Sequence, residues 1–159
     1  MKQIKLTQGQ VTQVDDEDFE YLNQFNWYAL YDPGTKSFYA TRNCPRLFGK
    51  QKKIKMHRVI MNTPEDMQVD HINHDTLYNL RENLRNCTMT QNNRNRGKQA
   101  DNTSGYKGVS QSRKKWQAQI RVDGKDIHLH TYPTREEAAR AYDEAAKMYH
   151  GDFAVLNFP

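Results

Sequence analysis

The most regular alternation of apolar and polar residues in this chain lies in its last third. Over residues 116–122 every second side chain is apolar, which predicts a β-strand with one buried and one exposed face. The dipeptide Asp123-Gly124 that follows is typical of a two-residue hairpin turn of type I′. The second strand of this hairpin is expected to carry Ile127, Leu129 and Thr131 on the apolar face, with His128 and His130 opposite.

A helix is predicted directly after this hairpin. Thr134 and Glu137 have the spacing of a capping box, in which each side chain bonds to the backbone N–H of the other residue. The helix is expected to run to about residue 150, with Gly151 just past its end. With a further strand at 106–111, these elements predict a three-stranded antiparallel sheet packed on one helix. The residues expected to face the sheet are Ala138, Ala141, Tyr142, Ala145 and Tyr149.

The N-terminal part of the chain predicts a small β-rich support. Asp15 or Asp16 can cap a short helix, and strands are predicted at 27–31, 38–41 and 53–56. We expect His57, which follows the last of these strands, to be structural or phosphate-facing rather than catalytic. The apolar face of the short helix is expected to contain Phe19, Leu22 and Phe25.

Residues 67–93 predict a β-β-α unit with polar side chains at one end. A short apolar strand at 67–69 leads into Asp70-His71, and a polar loop follows as far as Asn83. Residues 84–88 predict a second strand. Thr90 can then cap a helix, which places Asn92 in its first turn.

These residue types suit the hydrolysis of a phosphodiester with the help of one metal ion. A neutral imidazole, whose ordinary pKa of about 6.5 lies near working pH, can take a proton from water. Carboxylate and amide oxygens are ligands that Mg²⁺ prefers, and a bound ion polarises the phosphate. An Asp-His pair alone is more often an ordinary hydrogen-bonded pair in a turn, so the hypothesis depends on the whole ordered set.

The order and spacing of three short runs match a known motif: Asp70-His71-Ile72-Asn73, Asn83-Leu84 and Asn92. They resemble the HNH (His-Me finger, ββα-metal) nuclease motif, in the variant of phage homing endonucleases where Asn replaces the last His. The resemblance implies that His71 is the general base and that Asn83 braces the loop that orients it. It also implies that Asp70 and Asn92 hold one Mg²⁺ or Mn²⁺ ion.

His74 is a departure from this family, which usually has a Gly at that position. A Gly there would suit a turn with positive φ, a conformation that His adopts only occasionally. The substitution bears on the geometry of the turn and not on which residues would be catalytic.

Basic charge is concentrated in one stretch of the chain. Residues 85–125 contain ten Lys and Arg against two Asp, although the net charge of the whole chain is only +5. Such a concentration is typical of a protein that binds a polyanion. Residues 94–104 have the composition of a linker, and their Arg94, Arg96 and Lys98 are expected to follow a phosphate backbone.

The exposed face of the predicted sheet carries hydrogen-bonding side chains. A β-ribbon fits the DNA major groove, where Arg can pair with guanine and Gln with adenine. The residues of this region expected to contact DNA are Lys107, Arg113, Lys114, Lys115, Gln117, Gln119, Arg121 and His128.

Four runs of residues resemble the plant Apetala-2/ERF DNA-binding domain: Gly105-Tyr106-Lys107-Gly108-Val109, Trp116-Gln-Ala-Gln-Ile-Arg121, Glu137-Ala-Ala-Arg-Ala-Tyr142-Asp143 and Leu156-Asn157-Phe158-Pro159. The resemblance implies the fold and the binding of DNA. It does not carry over the target sequence, because Ser110 and Ser112 stand where the plant domains have arginines on the first strand. In the same way, His128 stands where a DNA-facing Trp would.

The predicted fold class is α+β, in two domains. Residues 1–93 are expected to form an HNH nuclease domain with a ββα-metal core at about 67–93 and a small β-rich support. Residues 94–104 are predicted to be a basic linker. Residues 105–159 are predicted to be an Apetala-2/ERF-like domain, with a three-stranded antiparallel sheet packed on one helix.

The predicted function is that of a metal-dependent, homing-type DNA endonuclease that nicks double-stranded DNA as a monomer. The alternative is a non-catalytic DNA-binding regulator built on a degenerate nuclease scaffold. An RNA-binding protein is disfavoured, because readers of single-stranded RNA usually display aromatic residues on the sheet face, whereas Trp116 is in the apolar register.

Composition also bounds the setting in which the protein is expected to work. No apolar run approaches the roughly 20 residues of a membrane span, and the start lacks the apolar region of a secretory signal. We therefore expect the cytoplasm of a bacterium or of a phage-infected host, and no membrane partner. Cys44 and Cys87 are too few for a four-ligand site, so no structural zinc is predicted.

Overall fold

The computed structural model describes residues 1–44, 51–99 and 101–159. Within these ranges the chain packs as two units, Met1–Thr88 and Met89–Pro159. Both units contain β-strands and helices, so the fold class is mixed α+β, as the sequence predicts. In the described ranges, no helix has both the length and the apolar character needed to cross a bilayer.

The described residues of the first unit, 1–44 and 51–88, form three small sheets. They have the strand orders β1-β2-β7, β3-β4-β5 and β6-β8, and their neighbouring strands are antiparallel except for β2 and β7, which are parallel. The segment after the third predicted strand is a short helix, α2. In chain order the elements are β1 Lys2–Lys5, β2 Val11–Val14, α1 Asp16–Leu22, β3 Tyr28–Asp32, β4 Ser37–Asn43, β5 Lys53–Lys55, α2 Met56–Ile60, β6 Gln68–His71, β7 Tyr78–Asn79 and β8 Leu84–Cys87.

One apolar core holds these elements together. The indole N–H of Trp27 donates to the carbonyl oxygen of Leu22 at 2.8 Å, which fixes the end of α1 against β3. Phe25 lies beyond the end of α1 and packs on the core from its edge. The buried members of the core are Ile4, Val14, Leu22, Trp27, Ala40, Met56, Ile60 and Leu84.

The start of α1 differs from the sequence expectation of a side-chain cap. Asp15 occupies the N-cap position, but its side chain makes no capping hydrogen bond. Its carboxylate instead accepts from the backbone N–H of Arg81 at 2.8 Å. The Asp15 side chain therefore bonds to a residue distant in sequence, Arg81, and not to the first turn of α1.

The second unit has one sheet and one long helix. The sheet has the order β9-β10-β11, antiparallel throughout, and α4 covers one of its faces. The sequence predicts a linker at 94–104, whereas the second unit begins at Met89. The helix Met89–Arg94, which ends at the first residue of the predicted linker, already belongs to the second unit. Residue 100 of that linker lies outside the described residues. The elements are α3 Met89–Arg94, β9 Val109–Ser112, β10 Lys115–Val122, β11 Lys125–Tyr132 and α4 Arg135–His150.

The local signals of this unit are confirmed. Asp123 and Gly124 have φ of 49° and 80°, the two positive values that a type I′ turn requires. Thr134 and Glu137 form the capping box in both directions. Thr90, by contrast, was wrongly expected to cap the preceding helix: α3 begins at Met89, so Thr90 lies inside it.

A β-bulge in β11 overturns part of the predicted alternation. Gln119 is opposite His128, but Ala118 is opposite His130, so Leu129 is an extra residue on that strand. Beyond the bulge the two faces exchange places.

The consequence of the bulge is that Thr131 does not continue the apolar face. Thr131 lies opposite Gln117, whereas Tyr132 packs into the core beside Trp116. The ring of His130 lies on the side of Tyr132, with 5.6 Å between the ring centroids. Strict period-two alternation could not anticipate this, because it assumes that the strand has no inserted residue.

The buried face of α4 is also broader than expected. Tyr149, predicted to face the sheet, is 41% exposed, whereas the next residue, His150, is buried. The ring Nε2 of His150 contacts the carbonyl oxygen of Arg121 at 3.0 Å, which ties the last turn of the helix to β10. Ala139 and Ala146, which the sequence pattern left out, are fully buried.

The C-terminal residues fold back on α4 and are held by one buried carboxylate. Asp143 accepts from the backbone N–H of Asn157 at 2.8 Å and from that of Phe158 at 2.9 Å. The Asn157 side chain makes two hydrogen bonds with the backbone of Lys107. It accepts from the N–H at 2.7 Å and donates to the carbonyl oxygen at 3.1 Å. The end of the chain thereby fixes the segment that precedes β9.

Gly108 gives a test of how closely α4 packs on the sheet. It has φ of +73°, and a Cβ at this position would meet the ring of Tyr142 and lie 2.8 Å from the carbonyl oxygen of Gln119. We expect Gly108→Ala to lower the free energy of unfolding of the second unit by about 3 kcal/mol, through backbone strain and overpacking together. Urea denaturation of the full chain measures this.

Gly105→Ala is the matched control for that substitution. Gly105 has φ of +83° but nothing within 4 Å of a Cβ, so only the backbone strain of about 1–2 kcal/mol should appear. Equal losses for the two variants would contradict the close approach of Tyr142.

Candidate functional site

The candidate active site lies at the end of β6. This strand pairs with β8 so that Asp70 is opposite Arg85 and His71 is opposite Leu84. Asp70 and His71 are both buried, with 5% and 6% of their surface exposed. Because successive residues of a strand face opposite sides, the two neighbours meet different partners.

The carboxylate of Asp70 forms a buried ion pair with Arg85. The Nε and one terminal nitrogen of the guanidinium lie 2.8 and 2.7 Å from the same oxygen, Oδ2. A charge this deeply buried requires a partner of opposite sign. Arg85 therefore holds the orientation of Asp70 and balances its charge.

The donor chemistry around Asp70 suits a hard cation. Its carboxylate is a hard oxygen ligand, the kind that Mg²⁺ prefers. Because Arg85 already balances the charge of Asp70, we expect any such ion to bind weakly until DNA phosphate adds negative charge. Within the described ranges, no cluster of three or more His, Cys, Asp or Glu is arranged to hold a metal.

Asn83 fastens both ends of the loop that follows His71. Its Oδ1 accepts from the backbone N–H of Asn73 at 2.9 Å, and its Nδ2 donates to the carbonyl oxygen of Tyr78 at 2.8 Å. Its own carbonyl oxygen accepts from the N–H of Ile72 at 2.9 Å. These contacts are of the kind expected of a residue that braces the loop.

The turn at His74 has a positive φ, the backbone conformation that a Gly at this position would suit. His74 has φ of 65°, and its N–H donates to the carbonyl oxygen of His71 at 3.1 Å. Its side chain is exposed. The turn therefore forms with a His in the left-handed region, and the residue keeps its imidazole away from the core.

The imidazole of His71 is enclosed by polar and aromatic neighbours. Its Nε2 lies 2.9 Å from Oδ1 of Asn79. The rings of His57 and Tyr39 are edge-on to it, with centroids at 5.1 and 6.4 Å. Burial lowers the pKa of His71, while the hydrogen bond to Asn79 and the charge of Asp70 oppose this shift.

His57 is more deeply buried than expected of a phosphate-facing residue. Burial, reinforced by the neighbouring His71 and Lys55, holds the pKa of His57 well below its usual range. The ammonium of Lys55 lies 4.1 Å from the centroid of the Tyr39 ring, and burial lowers its pKa as well. His57 is thus a packed, neutral side chain between two aromatic rings.

Two of the neighbours of the site were missed by sequence reasoning. Asn79, which contacts His71, has the sequence context of an ordinary loop residue, although it stands between apolar positions. Arg85, which pairs with Asp70, lies between Leu84 and Asn86 in a strand, and nothing in its sequence context indicates a role in the site. Both partners become visible only when the strands are paired.

The remaining residues predicted for the site lie in the second unit. Asn92 is half-buried on α3. Arg94, at the end of that helix, donates to Asp123 at 2.9 Å. Arg96 is exposed, and Lys98 is exposed while its Nζ donates to the carbonyl oxygen of Gly105 at 3.1 Å.

Lys107 differs from the expectation of an exposed phosphate-binding lysine. Its Nζ donates to the carbonyl oxygen of Arg94 at 2.7 Å, and burial lowers its pKa to about 8. The side chain joins α3 to the start of the sheet. In this arrangement Lys107 is a structural residue.

The outer face of the sheet and the turn between β9 and β10 carry the other predicted DNA-contacting residues. Gln119 and His128 are opposite each other, and Arg121 is opposite Asp126, with which it forms an ion pair at 3.2 Å. Gln117 donates to Gln119 at 3.3 Å and is half-buried. The exposed members of the predicted set are Arg113, Lys114, Lys115, Gln119, Arg121 and His128.

Comparison with known families identifies this sheet-and-helix region. The family model of the AP2 domain matches residues 104–152. Residues 104–152 are an AP2 domain. In the AP2 domain of this chain, α4 and the three strands account for the match, and the C-terminal residues held by Asp143 extend beyond it.

The curated relatives that this chain resembles are of two kinds. An uncharacterized HNH endonuclease of Acanthamoeba polyphaga mimivirus is 33% identical over 111 residues, which are 66% of this chain and 58% of that protein. Dehydration-responsive element-binding protein 2A of Arabidopsis thaliana is 55% identical over 47 residues, 28% of this chain and 14% of that protein. The AP2-like ethylene-responsive transcription factor ANT, also of Arabidopsis thaliana, is 51% identical over 57 residues. The chain therefore spans less than two thirds of the length of the mimivirus and plant relatives.

The depressed pKa values of His57 and His71 predict acid sensitivity of the first unit. The unfolded chain binds protons on these imidazoles near pH 6.5, whereas the folded chain binds them only at lower pH. Because the unfolded state then binds more protons, stability falls as the pH drops below about 6.5. We expect the unfolding temperature to fall between about pH 7 and pH 5, and to fall less in His57→Gln. Thermal unfolding followed by amide NMR signals of β3 and β4 measures this, and equal pH dependence in both proteins would contradict it.

Proposed function

We propose that this protein is a metal-dependent DNA endonuclease that its AP2 domain holds on double-stranded DNA. The observation that carries the proposal is His71, a buried imidazole with a lowered pKa beside a paired carboxylate, in the order of the HNH motif. The mimivirus relative named as an HNH endonuclease supports nuclease activity. The plant relatives, named as an element-binding protein and as transcription factors, support DNA binding.

His71 would act as the general base. Burial lowers its pKa, so the imidazole is neutral near neutral pH and can accept a proton from the attacking water. Asn83 holds the loop at both of its ends, which limits the movement of the backbone next to His71. The reaction would then be hydrolysis of a phosphodiester, with the water proton passing to the imidazole.

One Mg²⁺ or Mn²⁺ ion is the proposed cofactor, with the carboxylate of Asp70 on β6 as a protein ligand. When bound, such an ion polarises the phosphate and neutralises charge on the leaving oxygen. The part played by Arg85 is to hold the Asp70 carboxylate in place.

The exposed sheet face of the AP2 domain is the proposed site of DNA contact. Arg and Gln side chains in the major groove recognise guanine and adenine, and lysines contact phosphates. Arg121 is oriented by Asp126 on the neighbouring strand. The side chains proposed to contact DNA are Arg113, Lys114, Lys115, Gln117, Gln119, Arg121 and His128.

A non-catalytic DNA-binding regulator remains the second candidate. It is favoured by the ion pair between Asp70 and Arg85, because a guanidinium on the carboxylate competes with a metal ion. The two candidates differ in one measurement, which is whether the protein cuts DNA when an ion is supplied.

A cleavage assay on supercoiled plasmid tests the proposal. We expect Mg²⁺-dependent cleavage that EDTA abolishes, with nicked circles appearing before linear DNA, as for a monomer with one active site. His71→Ala should lower the rate by about 10²–10⁴-fold, the usual contribution of a positioned base, with DNA affinity unchanged. His74→Gly is the matched control, because it removes an exposed imidazole from the same loop and suits the φ of 65°.

The outcomes of that assay separate the candidates. Binding without cleavage by the unaltered protein would support the regulator. Full activity in EDTA would exclude the ion, and an active His71→Ala would exclude the base. Linear DNA with no nicked intermediate would require two active sites acting together.

The salt dependence of DNA binding tests the proposed interface. A lysine that contacts phosphate adds about 0.9 to the slope of log affinity against log salt, so Lys114→Ala should lower that slope by about this amount. Arg121→Ala should cost about 1–3 kcal/mol and relax the preference at one base pair. Lys147→Ala removes the same charge from the exposed side of α4 and should change neither. Equal effects of Lys114→Ala and Lys147→Ala, measured by titration at several salt concentrations, would rule out this face.

A further inference from the structure

We propose that Asn79, held in place by Thr12, is a positioning residue that fixes His71 as the Nε2–H tautomer. Nδ1 is then the ring nitrogen that carries no hydrogen. The inference rests on the proposed endonuclease function only for its catalytic consequence. The hydrogen-bond arrangement itself is a property of the first unit.

The three side chains form one buried chain of hydrogen bonds. Nε2 of His71 lies 2.9 Å from Oδ1 of Asn79, whose Nδ2 donates to Oγ1 of Thr12 at 2.8 Å. The Thr12 hydroxyl in turn donates to the carbonyl oxygen of Leu77 at 2.8 Å. Thr12 and Asn79 are completely buried.

The direction of every hydrogen bond follows from the last acceptor. A carbonyl oxygen such as that of Leu77 only accepts, so the single hydroxyl proton of Thr12 points to it. The Thr12 oxygen must then accept from Asn79, which places the amide nitrogen on that side and turns Oδ1 towards His71. Oδ1 also only accepts, so Nε2 of His71 must carry the hydrogen. A neutral imidazole has one N–H, and Nδ1 therefore keeps its lone pair.

The backbone that presents this chain comes from two distant parts of the sequence. β2 and β7 pair in parallel, with Gln13 opposite Tyr78 and Val14 opposite Asn79. The backbone N–H of Gln13 donates to the same Leu77 carbonyl at 3.0 Å. The acceptor that orders the hydrogen bonds is thus itself fixed by the sheet, and the N-terminal strand belongs to the candidate site.

The role is positioning rather than binding of substrate. Without Oδ1, the ring could turn about its χ2 angle or change tautomer, and Nδ1 would no longer be the unprotonated atom in a fixed place. Partners that orient a metal-ligating imidazole typically contribute about 10–100-fold, and we expect a similar contribution from Asn79 to the orientation of His71.

The test combines a structural and a kinetic measurement on the full chain. With ¹⁵N-labelled histidine in the ion-free protein at mildly alkaline pH, we expect the His71 signals of the Nε2–H tautomer. Asn79→Leu should give a mixture of tautomers and lower kcat by about 10–100-fold with KM nearly unchanged. Thr12→Val, which removes the hydroxyl but keeps the shape, should also mix the tautomers, and Thr12→Ser should restore the original one.

Failure of this proposal and failure of the proposed function give different results. An Nδ1–H signal in the unaltered protein, or an Asn79→Leu protein with unchanged tautomer and kcat, would overturn the positioning role. If the unaltered protein does not cleave DNA but its tautomer depends on Asn79 and Thr12, the hydrogen-bond assignment is supported and only the nuclease function fails. Should Asn79→Leu not fold, the comparison of Thr12→Val with Thr12→Ser decides the question.

Discussion

A buried imidazole N–H needs an acceptor, and the contacts of β2 and β7 beside His71 meet that requirement. An unsatisfied polar group in the interior costs about 1–3 kcal/mol, so the partner of His71 must itself be satisfied. Asn79 meets the requirement only because Thr12 and the Leu77 carbonyl complete its hydrogen bonds. Those groups come together through the parallel pairing of β2 with β7. The sheet of β1, β2 and β7, which the sequence does not predict, is therefore part of the candidate site.

In the second unit, the features that depend on neighbouring residues could be predicted from sequence. The Asp123-Gly124 turn, the capping box at Thr134 and the alternation in β10 are all set within a few positions of the chain. The exchange of Thr131 and His130 could not be predicted, because the bulge at Leu129 depends on how β11 fits against β10. The local sequence pattern determines whether a segment is a strand or a helix, whereas the register of a strand depends on the strand that it pairs with.

The first unit shows the same division within its candidate site. The motif placed Asp70, His71 and Asn83 around one loop, and the contacts of Asn83 are those expected of a loop brace. The partners Asn79 and Arg85 could not be found in this way, because neither lies next in sequence to the residue it holds. Their identity depends on the pairing of β2 with β7 and of β6 with β8. A motif thus indicates which groups react, but the pairing of strands determines their charge and tautomer.

The charges of the two units differ in a way that suits one to the proposed chemistry and the other to the attraction of a polyanion. Asp70 and Arg85 cancel each other, and the buried His71 is neutral near neutral pH, so the candidate site exerts little field at a distance. Attraction of a polyanion acts over roughly a Debye length, about 8 Å at physiological salt, and requires exposed charge. One cluster of exposed basic residues that can supply it, Arg113, Lys114 and Lys115, lies in the second unit. For the proposed nuclease, an uncharged base means that another surface must attract DNA, and the AP2 domain of this chain carries exposed basic residues suited to that role.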